Sequence, residues 1–377
     1  MEINMTSNEH NLISEMVDEL LMRKNILLEG PPGTGKTYQV STIVEELRRR
    51  LEVPSSGNKP VVQTRNPQFP FGAAGSGVAG EQQVLRSEWV TFHESFTYEE
   101  FVLGRRPEPR NGVVRLVAHA GIFLDLAISV DSEIGSCGSA VLIIDEINRA
   151  NAGRVIGEFM TFLDMSYRAT VDGHPNPRSL RPQLAGLRYG QDGQSEEILL
   201  IDGRSIKLPR DWLFPENVYV IATMNSVDKG ALPLDSALLR RFKRFFIKPD
   251  VDALARHIRG SATDCEEDLI ALICSLFKTM NGFILANLGR DHLLGHALLW
   301  DVVVDGRCSV STLARVWDRV VFPQLLDRFV FNVGLLSELL HRDVESTDGL
   351  LAVQQVSDWD ADAAADFFAS ISDAAAQ

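Results

Sequence analysis

Cysteine is scarce in this chain: four residues in 377, Cys137, Cys265, Cys274 and Cys308, with no CxxC pair among them. That excludes a disulfide framework and a thiolate zinc site, and reduced thiols in a cytoplasmic protein are expected. Positive charge is short as well, 37 Lys and Arg against 51 Asp and Glu, a net charge of −14. Clustered Lys and Arg are needed to displace counterions from nucleic acid, so any DNA contact must be local or indirect. The one histidine pair at helical spacing, His292 and His296, lacks the glutamate of HExxH, which argues against a metal site there. No apolar run approaches a membrane span, and no internal repeat of roughly 20 to 50 residues is visible.

What the chain does contain is a complete phosphate-binding pattern, NILLEGPPGTGKT, at 25–37. Ile26, Leu27 and Leu28 form the short apolar run of a buried strand, and a helix-compatible stretch at 38–50 follows the loop. Between them Gly30, Pro31, Pro32, Gly33, Thr34 and Gly35 allow a tight path that aims successive amides at phosphate oxygens, assisted by the helix N-terminus. Lys36 is expected on the β and γ phosphates. Thr37 offers its hydroxyl to magnesium, a hard cation that takes oxygen ligands. A Gly-Pro turn before a surface helix is the competing reading, but it leaves the full GxxxxGK[ST] pattern unexplained.

A carboxylate pair follows in AVLIIDEINRAN, at 140–151. Residues 141–144 read as a central parallel strand. At its end Asp145 is expected to hold magnesium, and Glu146 to orient or deprotonate the attacking water for phosphoryl transfer. A third apolar strand, 218–222, runs into TMNSVDKG, where Asn225 can position water beside the γ phosphate with Asp228 close by. Then comes ALPLDSALLRRFKRF, in which Asp235 caps a short helix carrying Arg240 and Arg241, candidates for an arginine finger. Charge alone leaves a second reading of that run, a basic patch extended by Lys243 and Arg244. The order of the motifs is that of AAA+ enzymes, whose subunits complete each other's sites.

The expected fold is therefore α/β: an AAA+ P-loop NTPase with a parallel sheet flanked by helices and a C-terminal helical lid. Residues 1–248 form the nucleotide-binding domain, 249–345 the lid, and 346–377 an acidic, Ala-rich segment ending in a helix. A helix is expected at 9–22, a second strand at 88–93 and a short helix at 98–103. Gly, Ser and Pro make 54–84 a long loop or partly disordered insertion. A second excursion, 170–215, carries the surface charges Arg178, Arg181 and Arg188 and suggests a small hairpin within ILLIDGRSIKL. In the lid, 266–280 and 311–329 have apolar helical faces, and Pro323 marks a kink or break.

Taken together, these segments resemble the McrB-type AAA+ GTPases of modification-dependent restriction systems. DEINRAN matches the family's extended acidic motif, TMNSVD is similar to TMNTAD, and DSALLRRFKRF is similar to the D.ALRRRF segment. FHESFTYEEFVLGRRPE, at 92–108, resembles FHPSYSYEDFIEGIRP, and LLGHALLW, at 293–300, is a looser match to IGHSYF in the lid. The resemblance implies GTP rather than ATP, a hexameric ring of identical subunits, and a separately encoded McrC-like subunit that stimulates hydrolysis and carries the nuclease. It also implies that Arg149 of DEINR senses charge at the subunit interface; a helix-start salt bridge is the alternative. Departures at Ser226, Val227, Ala297 and Leu298, and the lack of an NKxD sequence, leave base recognition unassigned. About 24 residues precede the first strand, fewer than a domain needs. Target reading and nuclease chemistry are therefore expected on other polypeptides. An ATP-hydrolysing remodeller of MoxR type remains open, as does a nucleotide-dependent assembly scaffold, against which Glu146 and the arginine pair weigh.

Overall fold

In the computed structural model, which describes residues 7–52, 83–110, 112–131, 134–170, 174–227, 232–347, 350–352 and 355–373, the chain divides into two compact units. The first comprises Met1–Glu29, Thr37–Met224 and Asp228–Phe245. Its elements run α1 (Ser7–Arg23), β1 (Asn25–Gly30), α2 (Lys36–Leu51), β2 (Gln83–Thr91), α3 (Tyr98–Phe101), β3 (Leu103–Arg110), β4 (Val113–Ala120) and α4 (Ile122–Ser129). Then follow β5 (Cys137–Asp145), α5 (Ala152–Ile156), β6 (Ile198–Leu199), β7 (Ser205–Ile206), β8 (Val218–Asn225), α6 (Ser236–Leu239) and β9 (Lys243–Phe246).

Five strands form the main sheet in the order β2-β5-β8-β1-β9, with β5 parallel to both neighbours and Ile143 in register with Trp89 and Ile221. Every residue of β1 is buried, as are Ala140, Val141, Leu142, Ile143 and Ile144 of β5. Strands covered on both faces read as unbroken aliphatic runs, which is why they are visible in sequence. The expected segment 54–84 lies outside the described residues except for its last two positions, where β2 begins.

The small hairpin expected within the 170–215 excursion is present as β6-β7. It joins β3-β4 in a second sheet ordered β3-β4-β6-β7, with Ala118 of β4 paired to Ile198 of β6. Leu184, Leu208, Trp212 and Phe214 are buried there. Phe214 packs 5.3 Å from Phe123, which stacks on Phe101 at 5.0 Å. The β3-β4 hairpin was not expected, because Pro107 and Pro109 interrupt the strand pattern. Both prolines sit on β3, the edge strand, where a missing N–H breaks no internal ladder. Much of FHESFTYEEF is architectural: Phe92 and Phe101 are core residues, and Thr97 and Glu100 form a capping box on α3.

One side chain ties this unit together. Arg168 has no exposed surface, and its guanidinium donates to the carbonyls of Phe162 (2.5 Å), Val218 (2.6 Å) and Glu216 (3.3 Å), and to Asn25 Oδ1 (3.4 Å). Burial pushes its pKa down to about 9. Removing it leaves buried acceptors without donors, each costing about 1–3 kcal/mol. Arg168→Met is therefore expected to destabilise the protein by about 3 kcal/mol. A urea midpoint equal to that of the wild type would show that the guanidinium holds nothing.

The second unit comprises Gly30–Lys36, Asn225–Val227 and Phe246–Gln377. It is helical: α7 (Val251–Ser261), α8 (Glu267–Leu288), α9 (Val310–Val316), α10 (Phe322–Phe329), α11 (Val333–Leu340) and α12 (Ala361–Asp373). Leu276, Phe277, Trp317, Phe329 and Phe368 are its large core residues. Residues 311–329 are two helices joined by a π-turn at Trp317–Val321, so Pro323 opens α10 in its first turn, where its missing N–H is harmless. The structure corrects the reading that no apolar run approaches a membrane span: by length and composition α8 is apolar enough to cross one. Seven of its residues are nevertheless buried in this core, and Thr279 on it donates to the Ser372 carbonyl of α12 at 3.1 Å.

Candidate active site

In the second unit, the phosphate loop Gly30–Lys36 has the backbone its sequence demands. Gly33 and Gly35 both lie at φ +77°, a left-handed conformation that L side chains rarely adopt. Two such glycines separated by Thr34 curl the chain so that consecutive amides converge on one point, an anion nest. Thr34 Oγ1 closes the turn on the Pro31 carbonyl at 3.0 Å. Lys36 is buried, and its ammonium donates to the Gly30 and Pro31 carbonyls at 2.9 and 2.8 Å. The amine is thus held against the loop itself. Thr37 follows on the first turn of α2, exposed.

In the first unit, Asp145 ends β5 and Glu146 turns the chain out of the strand. Glu146 has φ 54° and ψ 47°, a left-handed conformation that a glutamate holds only under tertiary constraint. The constraint is Thr223 on the adjacent strand β8. Its hydroxyl donates to Asp145 Oδ1 at 2.5 Å and accepts the Glu146 N–H at 3.3 Å, joining both carboxylate residues through one oxygen. Glu146 Oε2 lies 3.6 Å from Arg149 Nε. In the rest of the motif Ile147 and Ala150 enter the core, while Asn151 caps α5 by accepting the Arg154 N–H at 3.1 Å.

Asn225 closes β8, two residues beyond Thr223 and so on the same strand face. Asp228 lies outside the described residues. Asp235 accepts the Ala237 N–H at 2.8 Å at the head of α6. Arg241 folds back onto the Ala237 carbonyl of its own helix, whereas Arg240 is exposed, with no side-chain partner among the described residues. The remainder of the basic run is neutralised: Arg244 pairs with Glu29 at 2.7 Å and Lys243 with Glu19 at 3.3 Å. That pairing removes most of the charge a nucleic-acid patch would use.

Sequence reasoning missed Thr223. Its signal was present, a hydroxyl two residues before Asn225 in an otherwise apolar strand, but its partners lie 78 and 77 positions away. It also missed Gly295, whose neighbours are Pro32 and Gly33. Among the described residues there is no group of three or more His, Cys, Asp or Glu that could hold a metal ion by itself.

Residues 83–242 match the AAA domain family of the dynein-related subfamily. The Type IV methyl-directed restriction enzyme EcoKMcrB subunit of Escherichia coli is 28% identical over 297 residues, 78% of this chain and 51% of that protein. The Type II restriction enzyme BsuMI component YdiS of Bacillus subtilis is 28% identical over 231 residues, 58% of this chain and 55% of that protein. The chain thus spans about half the length of the curated relatives it matches. Among solved structures, NtrX from Brucella abortus in complex with ADP covers 91% of this chain and 67% of its own at 11% identity, with a TM-score of 0.31.

Proposed function

We propose that the chain is an AAA+ NTPase related to the McrB restriction subunits, which its similarity to them supports, and that it hydrolyses GTP as a ring-forming motor that drives a McrC-like nuclease against modified or foreign DNA. The observation that carries the hydrolytic part is the Thr223 bridge, which orients two adjacent carboxylates at a strand end for different tasks. Gly30, Pro31, Pro32, Gly33, Thr34, Gly35 and Lys36 cradle the phosphates. Thr37 and Asp145, both hard oxygen donors, would hold magnesium, which when bound neutralises developing charge on the phosphate oxygens. Glu146 takes the proton of the attacking water, Asn225 orders that water, and Asp228 and Arg149 belong to the nucleotide-binding set, Arg149 being paired with Glu146 at 3.6 Å. DNA is reached through partner subunits, as the acidic balance of the chain suggests.

Ser226 and Val227, where the related signature has Thr-Ala, favour keeping one other reading, an ATP-hydrolysing remodeller of MoxR type. Purified protein with magnesium is expected to hydrolyse GTP faster than ATP, with Lys36→Ala as a blank that neither binds nor hydrolyses. A side-by-side assay with ATP clearly ahead would replace the GTPase reading with the remodeller.

A further inference from the structure

Among the described glycines of the second unit, Gly295 leaves the least room for a side chain, and its own backbone does not explain why it is glycine. At φ −72° and ψ 145° it has a conformation open to any residue. Space is the reason: a Cβ there would lie 2.1 Å from the Pro32 carbonyl oxygen and 2.4 Å from the Gly33 carbonyl carbon. The segment at 295–297 is therefore laid backbone to backbone against the phosphate loop. Two further contacts follow from it. The Ala297 N–H donates to the Gly33 carbonyl at 3.0 Å. His296, buried, accepts the Asp250 N–H on Nδ1 at 3.2 Å, which leaves the proton of the neutral ring on Nε2. That nitrogen faces Gly35, 3.9 Å from where a Cβ would stand.

These contacts act on the atoms that would read a phosphate. In a trans peptide the C=O and N–H point in opposite directions. Drawing the Gly33 carbonyl outward onto Ala297 therefore turns the Thr34 N–H the other way, into the nest. The other end of the loop is held too. The Gly30 carbonyl accepts the Ser226 N–H at 3.1 Å, and a Cβ on Gly30 would lie 2.5 Å from the Ile247 carbonyl oxygen.

We propose that Gly295, His296 and Ala297 form a positioning clamp that presets the phosphate loop for the polyphosphate of a nucleoside triphosphate. The inference deepens the nucleotide reading and rests on it. The clamp touches no reacting atom; it fixes one peptide plane and one glycine whose amides do. Its loss weakens phosphate affinity and spares the chemical step, because the Asp145, Glu146 and Thr223 constellation contains none of its residues.

The test is steady-state hydrolysis by full-length Gly295→Ala and His296→Ala, with wild type and Lys36→Ala alongside, and folding checked by circular dichroism. The expected result is a KM for nucleoside triphosphate raised about 10-fold in Gly295→Ala, with kcat within about threefold of wild type. A smaller rise in the same direction is expected for His296→Ala. A merely structural role would shrink the active fraction, lowering kcat at an unchanged KM, and that pattern would overturn the clamp. So would wild-type KM in both folded variants. Should Gly295→Ala not fold, His296→Ala decides alone by the same KM-against-kcat criterion. A wild type that binds no nucleotide would overturn the nucleotide reading and the clamp with it. Binding by wild type, lost in Lys36→Ala but unchanged in both clamp variants, would overturn the clamp alone.

Discussion

Glu146→Gln is expected to bind nucleotide as the wild type does and to turn it over at least about 100-fold more slowly. The substitution keeps the side-chain length and leaves the strained turn, the Thr223 hydrogen bond to the Glu146 N–H and the α5 cap undisturbed. It removes only the carboxylate that would accept a proton. Arg149, 3.6 Å from Glu146 Oε2 in the native chain, would lose an ion pair that is partly exposed and worth at most about 1 kcal/mol. Destabilisation therefore cannot account for so large a loss of rate. Single-turnover hydrolysis beside a direct binding measurement separates the two quantities. Near-normal turnover would take the base assignment away from Glu146.

The second large effect is a defect that a neighbour can repair. An arginine finger acts in trans, so Arg240→Ala combined with Arg241→Ala should bind nucleotide normally and hydrolyse it about 10³-fold more slowly. The two arginines are not equivalent in the structure. Arg241 is tied to the Ala237 carbonyl, while Arg240 stands exposed at the end of α6, so Arg240→Ala alone should reproduce most of the loss. Mixed assemblies provide the decisive observation. Glu146→Gln subunits have a dead site but intact arginines, and finger-variant subunits retain Glu146. Where the two meet, a complete site forms and part of the activity returns. Mixtures that assemble, yet give only the sum of the separate residual rates at every ratio, would rule out a trans finger. DNA binding by the basic run is the weaker alternative, since Lys243 and Arg244 are already paired with Glu19 and Glu29.

The parts of this protein that its sequence determines alone are those built from neighbours in the chain. The phosphate loop is one: Gly33 and Gly35 dictate the left-handed turns, and Lys36 comes from the same seven residues that it hydrogen-bonds. The strands that end at Asp145 and Asn225 are others, because burial on both faces writes itself as an aliphatic run. Asp235 as a helix cap belongs here too, since its bond spans two residues.

Tertiary structure decided everything whose cause lies elsewhere in the chain. Two prolines concealed β3, and only its place at the sheet edge makes them tolerable. The hairpin within 170–215 was legible, but its pairing to β4 and the burial of Trp212 and Phe214, the latter against Phe123 of α4, were not. Arg168 reads as one more surface charge until its four acceptors surround it. Thr223 and Gly295 lie inside the TMNSVD and LLGHALLW motifs, but nothing in those motifs says what either touches. One becomes the hinge of the carboxylate pair and the other the seat of the phosphate loop, because distant segments approach each to within hydrogen-bonding or van der Waals distance, and no local pattern encodes such an approach.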